Sequence, residues 1–162
     1  MKSVLEAALS YAARGWLVFP CFGVTEGKCD CGKKCDSPGK HPITRNGLKD
    51  ATTDTEQIAE WFEQHPNANV AIVTGAASGL VVVDLDRKPN KNGIESLKAI
   101  GAMPRTLIAR SGSGGLHLYF THPGGEVPNS SNKLGPGIDV RGDGGYVIAP
   151  PSRHISGGVY AW

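Results

Sequence analysis

Leu80-Val-Val-Val-Asp84-Leu-Asp86 is an apolar run that ends in two carboxylates one residue apart. Turn residues Ala77-Ser-Gly79 precede it, and the run itself reads as a buried strand. Side chains alternate faces along a strand, so Asp84 and Asp86 project together from its end. Two like charges that close repel, and burial adds a desolvation cost. A divalent cation with oxygen ligands relieves both. A polar strand end facing solvent is the plainer account of a bare Asp-x-Asp, but a third acid adds weight to the metal. Asp139, within Gly137-Ile-Asp-Val-Arg141, lies between apolar neighbours on another predicted strand. Three strand-borne carboxylates can hold two cations about 3.5–4 Å apart, as phosphoryl-transfer sites do. Mg²⁺ or Mn²⁺ suits an all-oxygen ligand set.

The neighbouring segments set the fold class. Val4, Leu5, Ala8, Leu9 and Ala12 recur at helical spacing, and Gly15 supplies a C-terminal stop. Residues 16–19 read as a strand closed by Pro20. Thr53-Asp-Thr-Glu56 has the capping-box pattern ahead of Ile58, Trp61 and Phe62, which predicts a helix to about His65. Further strands are expected at 69–74, 106–110, 116–121, 138–141 and 146–149, with a short helix over 94–100. Residues 123–136 read as a mobile polar loop, and Gly157 to Trp162 has no clear terminal element. No repeat or linker interrupts the chain. The expectation is one α+β domain over residues 1–162, with a mostly antiparallel sheet and flanking helices, cut from something longer.

Composition adds bounds. The 162 residues can bury a real core. A net charge of +2 and a pI near 8.4 permit a nucleic-acid partner without demanding one. The 22 glycines and 11 prolines suit turns and strands. No apolar run approaches the roughly 20 residues of a membrane helix. The first fifteen residues, with Glu6 and Arg14, do not have the pattern of a signal peptide. Cytoplasmic residence is expected, so clustered cysteines read as metal ligands and not as disulfides.

Cys29-Asp-Cys31-Gly-Lys-Lys-Cys35-Asp-Ser-Pro-Gly-Lys-His41 is such a cluster. Three thiols and an imidazole can close a tetrahedral Zn²⁺ site. Residues 28–42 otherwise offer little to order them, and free surface thiols are the alternative. Cys21, after Phe19-Pro20, reads as a small core residue. Arg110-Ser-Gly-Ser-Gly-Gly-Leu-His117 offers close backbone approach to an anion, with hydroxyls from Ser111 and Ser113 around Gly112 and an imidazole from His117. A flexible hairpin with a half-buried histidine is the plainer reading. Lys40, Arg45 and Lys49 follow the cysteines and would track a polynucleotide backbone or neutralise a triphosphate, though such charges usually only solvate a surface.

Together these segments resemble the N-terminal domain of bifunctional DNA primase/polymerases, of the archaeo-eukaryotic primase superfamily common in phages and mobile elements. Val83-Asp84-Leu-Asp86 resembles the family's first motif. Ser113-Gly-Gly-Leu-His117-Leu-Tyr-Phe120 resembles the second, and Gly137-Ile-Asp139-Val-Arg141 through Pro151-Ser152 the third. Pro38-Gly-Lys-His-Pro42 and Gly47-Leu-Lys-Asp-Ala-Thr-Thr-Asp54 are similar to the family as well. The resemblance implies an RRM-like catalytic core with a zinc-binding loop. It implies catalytic Asp84, Asp86, His117 and Asp139, with two Mg²⁺ or Mn²⁺ ions on the acids. Nucleotide contacts would come from Ser111, Gly112, Ser113, His117 and Arg141. A single-stranded DNA template, a dNTP or NTP, and a helicase domain or subunit are the implied partners, in a bacterial or phage-infected cell. Two other classes remain: a non-catalytic, zinc-stabilised single-strand-binding module, and a metal-dependent nuclease.

Overall fold

The computed structural model describes residues 2–101 and 103–162. Three helices, α1 (Val4–Ala12), α2 (Thr55–Gln64) and α3 (Gly93–Ile100), accompany twelve strands. The strands are β1 (Val18–Cys21), β2 (Val24–Thr25), β3 (Lys28–Cys29), β4 (Asn69–Val73), β5 (Leu80–Leu85), β6 (Arg87–Lys88), β7 (Lys91–Asn92), β8 (Leu107–Arg110), β9 (Leu116–Thr121), β10 (Ser130–Ser131), β11 (Ile138–Arg141) and β12 (Tyr146–Ala149). All described pairings within named strands are antiparallel. The α+β class therefore holds.

The expected single sheet is in fact two. One has the order β1-β4-β12 and the other β10-β11-β5-β9-β8, and two short hairpins pair β2 with β3 and β6 with β7. The 138–141 and 146–149 strands, adjacent in sequence, thus belong to different sheets. The chain crosses between the sheets at two adjoining places. At the first, Gly75 and Leu80 bond each other's backbone in a tight turn between β4 and β5. At the second, residues 142–145 lead from β11 to β12, and the Thr74 hydroxyl donates to the Gly142 carbonyl at 2.7 Å. The Asp143 carboxylate accepts from the Ala76 and Val127 N–H groups, both at 2.8 Å, and so ties the crossings together.

Alternation along β5 sorts the core. Leu80 and Val82 join Tyr119, Val70, Ile72 and Val147 beneath α1 and α2, whose Ala8, Tyr11, Ile58 and Phe62 are buried there. Val83 and Leu85 face the other way, with Leu118 and Ile138, and are covered by Ile94 and Leu97 of α3. A sheet buried on both faces explains why the run at 81–83 is continuously apolar.

Several local expectations change. Pro20 does not close its strand: β1 runs through it to Cys21. Its missing N–H is tolerated because β1 is an edge strand. The helix at 55 is capped by Asp54, whose carboxylate accepts from the Glu56 and Gln57 N–H groups. The reciprocal capping box lies instead at Ser3 and Glu6, ahead of α1. The polar segment 123–136 includes β10, paired to β11. The last residues are packed: Ala161 exchanges two backbone hydrogen bonds with Arg110, and the Trp162 indole donates to the Tyr11 hydroxyl at 3.0 Å. Among the described residues no helix is long and apolar enough to cross a membrane.

Candidate active site

Strand register assembles the acids. Asp84 of β5 lies directly opposite Asp139 of β11 on one side and opposite His117 of β9 on the other. Residues directly opposite each other share a face, so Asp139, Asp84 and His117 form one row across the five-stranded sheet. Asp86 follows two residues after Asp84, just past the strand, and Arg141 two residues after Asp139. The row lies on the face that carries Val82 and Tyr119 into the core, where that face opens into a cleft of about 390 Å³. Lys40, Arg141, Tyr146 and Tyr160 are among its walls.

The charges there are partly compensated. The Arg141 guanidinium is 2.9 Å from Asp139 Oδ2 and 3.9 Å from Asp84 Oδ2. Asp139 Oδ1 also accepts from the Ser131 hydroxyl at 2.7 Å and the Asn132 N–H at 3.2 Å. Asp86 is paired with Lys88 at 2.7 Å. Asp84 is the least compensated. Burial pushes its carboxyl up to about 6, and the negative charges of Asp86 and Asp139 add to this against Arg141. His117 moves the other way: burial, then the charges of Lys40 and Arg141, push its imidazole down to about 4. At neutral pH it is an uncharged ring with Nε2 3.5 Å from Asp84 Oδ1. Its buried Nδ1 has no hydrogen-bond partner among the described residues.

The Ser-Gly turn connects β8 to β9 beside the end of β5. The Ser111 hydroxyl accepts from the Gly115 N–H at 3.0 Å and lies 3.0 Å from the Ser113 hydroxyl. Ser111 is therefore occupied in shaping the turn. At Gly112 a Cβ would run into His154 and the Gly158 carbonyl, so glycine there lets residues 153–158 pack against the turn. These three residues do not line the cleft.

The cysteine loop has a different character. Ligand atoms of Cys29, Cys31, Cys35 and His41 all lie within 4.8 Å of one another, a separation and donor set suited to tetrahedral Zn²⁺. Cys29 Sγ is 3.3 Å from His41 Nε2 and accepts the Gly39 N–H at 3.4 Å. Burial pushes the Cys29 thiol up, but hydrogen bonds from Cys31, Gly39 and His41 outweigh it and bring the group to about 7. Cys35 is driven the other way, to about 11, by burial and by its two cysteine neighbours. Among the described residues no other set of three or more such side chains gathers its ligand atoms as closely. The fourth cysteine, Cys21, is fully buried in the core.

The basic residues divide between two places. Lys40 lines the acid cleft. Arg45 lines a separate hollow with Asp50, Asp54 and Trp61, and Lys49 is exposed on the 3₁₀ turn Gly47–Asp50. Two aromatic residues are among the cleft residues that the sequence did not single out. Tyr146 lay inside the third motif, and its β-strand alternation with Ile148 was the available signal. Tyr160 gave none, because only the packing of the terminal segment brings its ring to 5.8 Å from His117.

No curated protein matches the chain. The model for the N-terminal domain of bifunctional DNA primase/polymerases matches residues 8–162. That family has a primase/polymerase-type function and acts on DNA and nucleotides, and with nearly its whole length matched this chain belongs to it.

Proposed function

We propose that the chain is a template-directed nucleotidyltransferase, a DNA primase/polymerase that joins nucleotides on a single-stranded template. The observation that carries the reading is the row Asp139, Asp84, His117, of which Asp84 and His117 line a cleft together with Lys40 and Arg141. Acids suited to cations lie beside cations suited to phosphates. Asp84, Asp86 and Asp139 would hold two Mg²⁺ or Mn²⁺ ions, and the unrelieved charge at Asp84 fits that role. Bound there, the ions would lower the pKa of an attacking 3′-hydroxyl and offset charge on departing pyrophosphate. Cys29, Cys31, Cys35 and His41 would hold one structural Zn²⁺.

The chain's own residues act by position and charge. Arg141 keeps one N–H on Asp139 and has further donors for a phosphate oxygen, which the guanidinium fork allows. His117, uncharged and lining the cleft beside Asp84, would meet a phosphate there without bringing a charge into the row. Ser111 and Ser113 would serve indirectly, by shaping the turn that leads into the strand of His117. Arg45 and Lys49 would meet the template outside the cleft.

Primer extension on a DNA template with Mg²⁺ or Mn²⁺ tests this, comparing wild type with Asp84→Ala and Asp139→Ala. Both variants should lose synthesis, and undiminished synthesis by either overturns the metal roles. Degradation of DNA without added nucleotide would identify a nuclease. Oligonucleotide binding without incorporation would identify a binding module.

A further inference from the structure

Lys40 occupies an unusual position. Its backbone is held from three directions while its side chain is exposed. On one side is Gly39, buried in the left-handed region at φ +74°, where a Cβ would meet Val24 Cγ2 at 2.7 Å. The Gly39 N–H donates to Cys29 Sγ, and its carbonyl accepts from the Asn69 side chain at 2.8 Å. On the other side is His41, whose ring meets Cys29 and whose carbonyl accepts the Phe22 N–H at 3.0 Å. The Lys40 carbonyl itself accepts from the Tyr146 hydroxyl at 3.1 Å and the Cys21 thiol at 3.4 Å. One residue is therefore pinned to the cysteine–histidine cluster, to β1 and to β12 at once.

The side chain so held lines the acid cleft together with Arg141. Among the described residues its ammonium has no ion-pair partner, and Lys40 is the one cation the loop contributes to that cleft. Lys33 and Lys34, on the same loop, are exposed and not in the cleft.

We propose that the cysteine–histidine loop is a positioning element for catalysis: a Zn²⁺ on Cys29, Cys31, Cys35 and His41 fixes Lys40 so that its ammonium, with Arg141, binds the triphosphate of the incoming nucleotide. This rests on the reading of the cleft as a nucleotide site, and moves Lys40 from template to nucleotide. An ammonium anchored by its backbone loses less freedom on binding a phosphate than one on a loose loop. Zinc thus acts on catalysis through Lys40 alone, without touching substrate.

Equilibrium binding of a fluorescent nucleoside triphosphate, read by anisotropy without turnover, tests the assignment alongside zinc content and oligonucleotide binding. Lys40→Ala should weaken nucleotide binding by about tenfold, the scale of one charge-assisted phosphate contact. Zinc content and oligonucleotide affinity should stay as in wild type. Lys40→Arg should recover most of the loss, and Lys33→Ala with Lys34→Ala should change nothing. Cys31→Ser with Cys35→Ser should lose zinc and weaken nucleotide binding by a similar factor, and adding Lys40→Ala to it should cost little more. Unchanged nucleotide affinity in Lys40→Ala overturns the assignment, as does an equal loss of oligonucleotide binding. Multiplicative losses from zinc removal and Lys40→Ala overturn the coupling. If the cysteine variant fails to fold, the Lys40 series decides alone. Wild-type protein that binds no nucleotide would instead sink the underlying reading of the cleft.

Discussion

The carboxylate row and the cysteine–histidine cluster are both candidate metal centres, and they are built in opposite ways. The row joins residues 84, 117 and 139 from three strands, through register that spans much of the chain. The cluster comes from thirteen consecutive residues, 29–41. Thiols and an imidazole can bond one another, so their ligand atoms already lie within 4.8 Å. Carboxylates repel, so the acids recruit Arg141 and Lys88 as partners. The soft site is prearranged by attraction, whereas the hard site is held against repulsion by the sheet.

That contrast can be broken most decisively at Asp84. Asp84→Ala should lower primer extension by about 10³-fold, the scale of losing a principal electrostatic contributor to a transition state, while zinc content stays at that of wild type. A variant that loses both would mean the two centres are not independent.

Stripping zinc, or Cys29→Ala, attacks the other side. It should destabilise the fold around residues 28–42 by on the order of several kcal/mol, because binding energy at such a site is folding energy. Thermal denaturation with and without a chelator measures this. Identical melting in zinc-free and zinc-loaded protein would remove the structural role.

Burial of Asp84, with repulsion from the neighbouring acids, predicts a smaller effect of opposite sign. The Asp84 carboxyl is raised to about 6 in the fold, mainly by burial, so unfolding lets it ionise more readily. Stability therefore falls as pH rises from about 4 to about 6, and the penalty is full above that. In metal-free protein, Asp84→Asn should gain about 1–2 kcal/mol near pH 8 and nothing near pH 4. His117 runs oppositely: its imidazole is lowered to about 4, so its contribution is lost as pH falls below the ordinary 6.5. A gain from Asp84→Asn that is equal at both pH values would mean that charge is not its cause. The least effect belongs to Lys88→Ala, which removes an exposed partner of Asp86 and should cost at most about 0.5 kcal/mol in denaturant titration.

Much of this was legible along the chain. The strand from Leu80 was read to within one residue, because a doubly buried strand leaves a continuous apolar run. The cysteine loop was legible because its ligands are neighbours in sequence. Other readings failed where a distant partner decided. Pro20 looked like a terminator, yet an edge position tolerates it. Tyr160 lay in a segment with no periodicity, and only packing against His117 brings it to the cleft.

Sequence alone determined which atoms are available: Asp84, Asp86 and Asp139 as candidate hard ligands, Cys29, Cys31, Cys35 and His41 as candidate soft ones, and the α+β pattern that carries them. Periodicity and ligand chemistry are local, so they survive in one dimension. Tertiary structure decided that the strands divide into two sheets, that Asp139 stands opposite Asp84, that Arg141 lies between them, and that Lys40 reaches the cleft from the cysteine loop. Those are matters of register and of which segments cross, and no local preference of the chain encodes them.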